Sequence, residues 1–112
     1  MNKLICGVCF AALLLPAVAR ADANLDMATE KRCMICHTLG GEAKHAPSFK
    51  AIARKYRSHD NAEAVLAGTI MQGNPVTGGY HWGLMPEPSP GGRSPVSEAE
   101  ARQLAHWILG IR

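Results

Sequence analysis

Five consecutive residues, Cys33-Met34-Ile35-Cys36-His37, have types and spacing that can do chemistry together. The C-x-x-C-H pattern is the one through which a polypeptide takes up haem c covalently. Each thiol adds to one vinyl group of the porphyrin to form a thioether. The adjacent imidazole then sits under the iron as its proximal ligand. On a helical turn, positions three apart lie on one face, so both sulfurs reach the same edge of the ring. Cys33 and Cys36 are therefore the expected points of covalent attachment, and His37 the expected axial ligand.

Other chemistries for these cysteines are weaker. Cys6 and Cys9 form a second C-x-x-C, but they lie in an apolar N-terminal run that reads as a removable leader. Zinc would need two further ligands, and no histidines occur at H-x₃₋₅-H spacing. A thioredoxin-like dithiol requires a βαβ setting that the sequence lacks. A plain disulfide between Cys33 and Cys36 is the structural alternative.

An iron centre that passes electrons keeps six ligands in both oxidation states, so a second axial group must come from the far side. Met85 is the expected ligand, since a soft, neutral thioether favours ferrous iron. Pro86 stiffens the backbone beside it and pushes Met85 into an extended conformation. Met27 and Met34 are too near His37 in sequence to reach the opposite face, and Met71 reads as core filler in a helix. His81 is the rival, giving bis-histidine ligation, and an open sixth site is the remaining option. The Pro47 carbonyl is expected to accept the other ring N–H of His37, and Trp82 to donate its indole N–H to a haem propionate. His45, His59 and His106 read as surface or packing residues.

Residues 1–21 read as a cleaved secretory signal: a positive Met1-Asn2-Lys3, an apolar Leu4–Val18 and an A-x-A site at Ala19-Arg20-Ala21. The apolar run is short for a membrane span, an uncleaved anchor being the alternative. Residues 22–112 then form one domain of 91 residues, large enough for only a thin core without a staple. Loss of Lys3 and Arg20 lowers the net charge from +3 to +1. So small an excess gives no support to nucleic-acid binding or to stable membrane attachment.

Nothing in the domain reads as a strand, and four helices are expected. The first spans Leu25 to Cys36 with Asn24 as its N-cap. The second begins at Ser48 after Pro47 and turns Phe49, Ile52 and Tyr56 to one side. The third starts at an Asp60–Glu63 capping box and stops by Gly73. The fourth starts at a Ser97–Glu100 box and carries the stripe Ala101, Leu104, Ala105, Ile108, widened by Trp107. Between Gly73 and Val96 runs a Gly- and Pro-rich stretch whose length points to function, and it carries Met85.

Taken in order, these features resemble the small bacterial class I c-type cytochromes, of the single-haem type near cytochrome c-551. They are the C-x-x-C-H run, His45-Ala46-Pro47 before an aromatic, and Ile52-Ala53-Arg54-Lys55-Tyr56. Later come Trp82-Gly83 before Met85-Pro86, and a last helix carrying Leu104-Ala105-His106-Trp107-Ile108-Leu109. The resemblance covers nearly all of residues 22–112. It implies an all-α fold wrapped around one covalent haem, a crossing of the first and last helices, His37/Met85 ligation and electron transfer in the periplasm. Three features depart from that pattern. Only two residues separate Trp82 from Met85, fewer than in such relatives. The first helix has no aromatic to pack on the last, so Leu25, Met27 and Ala28 must serve. Pro88 and Ser89 also stand after Met85, where an Asn is common.

The expected role is a one-electron carrier and not an enzyme, docking donor and acceptor proteins weakly at the haem edge as a monomer or weak oligomer. A dedicated haem subunit of a periplasmic oxidoreductase is the alternative, and an open sixth site would make it a ligand-binding or peroxidatic haem protein. Lys50, Arg54, Lys55 and Arg57 form a basic run that reads as a solvated helix face before it reads as a docking patch.

Overall fold

The computed structural model describes residues 18–74 and 86–112, with side chains from residue 23. The expected signal core and His81, Trp82 and Met85 lie outside the described residues. Four helices are present, α1 (Val18–Glu30), α2 (Phe49–Tyr56), α3 (Ala62–Gln72) and α4 (Glu98–Leu109), with one 3₁₀ turn at Cys33–Ile35. No strand occurs among the described residues.

The first helix departs from expectation at both ends. Asn24 is not its N-cap; the helix runs through this position from Val18, because the alanine-rich residues ahead of it are good helix formers. Asn24 instead accepts a hydrogen bond from Gln103 Nε2 at 3.0 Å, tying α1 to α4. Nor does the helix continue to Cys36. Arg32 turns left-handed at φ 65°, α1 ends at Glu30, and the cysteines start a separate turn.

Helix α2 starts as expected. Ser48 is extended, and its hydroxyl accepts from Ala51 N at 3.1 Å. Phe49, Ile52, Ala53 and Tyr56 face inward. The Asp60–Glu63 capping box is not formed. Asn61 precedes α3 in the left-handed region at φ 57°, with no side-chain cap bond, because the turn out of α2 demands a conformation that Asn tolerates. Helix α3 stops at Gly73 as expected. In α4 both halves of the Ser97–Glu100 box are present, at 2.8 and 3.2 Å.

Helix α4 is the hub, packing against α1, α2 and α3. Ala101, Leu104, Ala105 and Ile108 are all buried, joined by Ala28, Phe49, Ile52, Tyr56, Leu66 and Ala67. Ala28 of α1 and Ala101 and Ala105 of α4 have no exposed surface, so the helices can approach closely without an aromatic. Lys31 reinforces the crossing, with Nζ 3.0 Å from Glu100 Oε1 and donating to Pro95 O at 3.1 Å.

Both flanks of the long stretch are lashed together at the end of α3. Asn74 N donates to Glu87 O at 3.2 Å, and Glu87 N donates to Asn74 Oδ1. Gly73 has φ +83°, and a Cβ built there would stand 2.8 Å from both Glu87 O and Ser89 N. Glycine is the residue that both the backbone angle and the space require.

Candidate functional site

Tightness of the 3₁₀ turn decides how the C-x-x-C-H residues are displayed. Residues three apart eclipse one another in a 3₁₀ helix, so Cys33 and Cys36 share one side. Cys36 N and His37 N both donate to Cys33 O, at 3.2 and 3.0 Å, which brings the histidine straight back under the turn. Cys33, Cys36 and His37 all line one cavity of about 470 Å³, a volume ordinary for a cofactor pocket. Ala46, Pro47, Ile52, Tyr56 and Leu66 supply apolar wall, and the segment 86–94 closes it.

The imidazole of His37 is fixed from two directions. Its Nδ1 lies 2.6 Å from Pro47 O, and since a carbonyl only accepts, Nδ1 carries the proton. Nε2 is directed into the cavity, towards the Glu87 carboxylate. The Phe49 ring stacks on the imidazole at 5.0 Å and 25°, and Trp107 meets Phe49 edge-on at 5.5 Å. Phe49 thus positions the histidine; the sequence marked it only as core, because its spacing on α2 carries no sign of what lies above it.

Burial pushes the Cys33 thiol up to about 11, and the Glu87 carboxylate adds to the effect. Such a thiol is protonated at neutral pH, unlike the depressed thiolates of redox dithiols and metal sites. No disulfide joins Cys33 to Cys36, and no cluster of three or more metal-binding side chains occurs among the described residues. The donor set instead fits haem c: two thiols sharing one side of an apolar cavity, with an imidazole nitrogen aimed into it.

Two charged residues in the pocket gave no signal in the sequence. Glu87 Oε2 lies 3.4 Å from His37 Nε2, and Glu87 Oε1 lies 3.3 Å from Arg93 Nε. Both come from a Gly- and Pro-rich segment with no periodicity, where sequence alone gives no direction to a side chain. The histidines read as peripheral are so: His45, His59 and His106 are exposed, and His106 Nδ1 meets Glu63 Oε2 at 3.0 Å. Lys50, Arg54, Lys55 and Arg57 are also exposed.

An all-helical domain folded over a pocket with paired thiols and an imidazole defines a protein built around a covalently held prosthetic group. A profile of the family described as Cytochrome c matches residues 26–112. The chain is 40% identical over 90 residues to cytochrome c-552 of Hydrogenobacter thermophilus, covering 80% of this chain and 83% of that one. It is 37% identical to cytochrome c-552 of Nitrosomonas europaea, covering 92% of each. The crystal structure of wild-type Nitrosomonas europaea cytochrome c552 superposes with a TM-score of 0.64 at 36% identity, over 79% of this chain and 99% of that one. The chain belongs to the cytochrome c family. Membership makes it a haem-based electron-transfer protein of the small class I type, whose cofactor is one covalently bound haem c with its iron. Among the described residues, no helix is long and apolar enough to cross a membrane.

Proposed function

We propose that this protein carries single electrons between periplasmic redox proteins, on a haem c bonded to Cys33 and Cys36 and ligated by His37 and Met85. The observation that carries this reading is the pocket wall itself: two thiols on one side of a 3₁₀ turn, beside an imidazole whose Nδ1–H is held by Pro47 O. Haem supplies the one-electron chemistry when bound, its iron alternating between ferric and ferrous. The chain's own residues do the rest. Pro47 selects the tautomer that presents Nε2 and makes that nitrogen a stronger donor. Phe49 keeps the imidazole plane from turning, and Ala46, Ile52, Tyr56 and Leu66 offer the ring an apolar wall. Met85, held in place by Pro86, would complete the ligand pair from the other side, and Trp82 would meet a propionate.

Residues 1–21 would direct export and be removed, leaving Asp22 as the first residue. Ile35, 54% exposed at the pocket rim, and Leu39, 42% exposed, offer the apolar surface on which donor and acceptor would dock. Weak, transient contact of this kind suits a carrier, and no substrate is turned over by the protein itself.

Mass spectrometry of the protein secreted from cells competent in haem attachment tests the first half of the proposal. The expected mass is that of residues 22–112 plus one haem; the bare polypeptide mass would overturn it. Near-infrared spectra of the ferric protein test the second half. A methionine-to-iron charge-transfer band is expected in the wild type and not in Met85→Ala, and a band that survives the substitution would exclude Met85.

A further inference from the structure

Arg93 presents an unsolved electrostatic problem inside the cofactor pocket. Its side chain is only 12% exposed and lines the same cavity as Cys33, Cys36 and His37. Nε is accounted for: it donates to Pro88 O at 3.2 Å and lies 3.3 Å from Glu87 Oε1. Nη2 is buried and has no acceptor among the described residues. A buried donor of a charged group left without a partner is costly, and native proteins rarely tolerate one. The nitrogen therefore points to an acceptor that the described residues do not supply.

Haem c brings two acceptors of the right kind, its propionate carboxylates. A planar carboxylate matches the guanidinium fork, and the pairing is stronger away from water. Glu87 is a poor substitute for the free side of the fork. Its backbone is pinned to Asn74, its Oε1 already faces Nε, and its Oε2 stands near His37 Nε2, where an axial bond must form. We infer that Arg93 binds a haem propionate through Nη2, so that the segment following Met85 is fastened to the cofactor at a second point. The inference rests on the haem-binding reading of Cys33, Cys36 and His37, and assigns to one residue of this chain a role that its Gly- and Pro-rich setting would not suggest.

The experiment uses the haem-loaded mature protein. In its crystal structure Arg93 Nη2 is expected within ~3.2 Å of a propionate oxygen. In resonance Raman spectra, the propionate bending band is expected to shift in Arg93→Gln and to move back towards the wild-type position in Arg93→Lys. It should stay in place in Arg102→Gln, whose guanidinium pairs with Glu98 on the outer face of α4. Haem normally attached, with Nη2 bonded to Glu87 or to a carbonyl and the band unmoved, would overturn the inference and leave the cofactor assignment intact. Absence of attached haem from the wild type would instead overturn the cofactor assignment. Should Arg93→Gln fail to mature, the wild-type structure and Arg93→Lys decide the matter.

Discussion

Phe49 meets the imidazole of His37 on one side and the indole of Trp107 on the other. It is also among the most buried large side chains, at 2% exposure. A residue in that position does two things at once: it fills the core and it fixes the plane of a ring. Phe49→Leu keeps much of the volume but loses both aromatic contacts, each worth roughly 0.5–1.5 kcal/mol beyond area. The haem-loaded variant is expected to lose about 1–2 kcal/mol in guanidinium unfolding, seen as a lower midpoint at unchanged slope. An unshifted midpoint would show that the stack contributes nothing. Pro47 acts on the same ring through a single carbonyl oxygen, so geometry at His37 is set by two residues that lie only two apart in sequence.

At the scale of elements, helix starts divide by how local their causes are. The Ser97–Glu100 box forms because all its atoms lie within four residues. Its energetics are correspondingly readable. The Ser97 backbone N–H, and then Lys31, hold the Glu100 carboxyl below its ordinary value. A lowered carboxylate stabilises the fold above its unfolded value of about 4.3, and that stabilisation disappears as pH falls through the folded value. Glu100→Gln is therefore expected to melt below the wild type at pH 7, with the two melting points converging below about pH 4. A gap of the same size at pH 3 would refute this. The Asp60–Glu63 pair has the same spacing and forms no box, because the path of the chain between α2 and α3 puts Asn61 in a left-handed turn. Asn24 departs from expectation for a similar reason: a capping residue type is a permission, and α1 runs through this position from Val18. The stripe on α4 and the inward face of α2 were legible because burial follows periodicity. Glu87 and Arg93 were not, since no period links a side chain in such a segment to the pocket it enters.

For the whole molecule, the main structural fact is how little core the described residues build apart from the pocket. Leu104 is the only large side chain described with less than 2% exposure, and much of the remaining interior is alanine. Around it stands a cavity of about 470 Å³. Without the cofactor, the apolar side chains that line this pocket lose the body they would bury against, in a domain already short of core. The chain with Cys33→Ala and Cys36→Ala, produced without haem, is expected to show far-ultraviolet circular dichroism well short of the helix content seen here. A cooperative thermal transition matching that of the haem-loaded protein would contradict this. Gly73 carries a final implication, because it alone leaves room for Glu87, Pro88 and Ser89 to press against the end of α3. Every missense change in its codon adds a methyl group or more, so no conservative replacement lies one step away. The end of α3 and the methionine-bearing segment are therefore expected to vary in concert across descendants of this gene, and a loop grafted from a relative would have to travel with the residue it rests on.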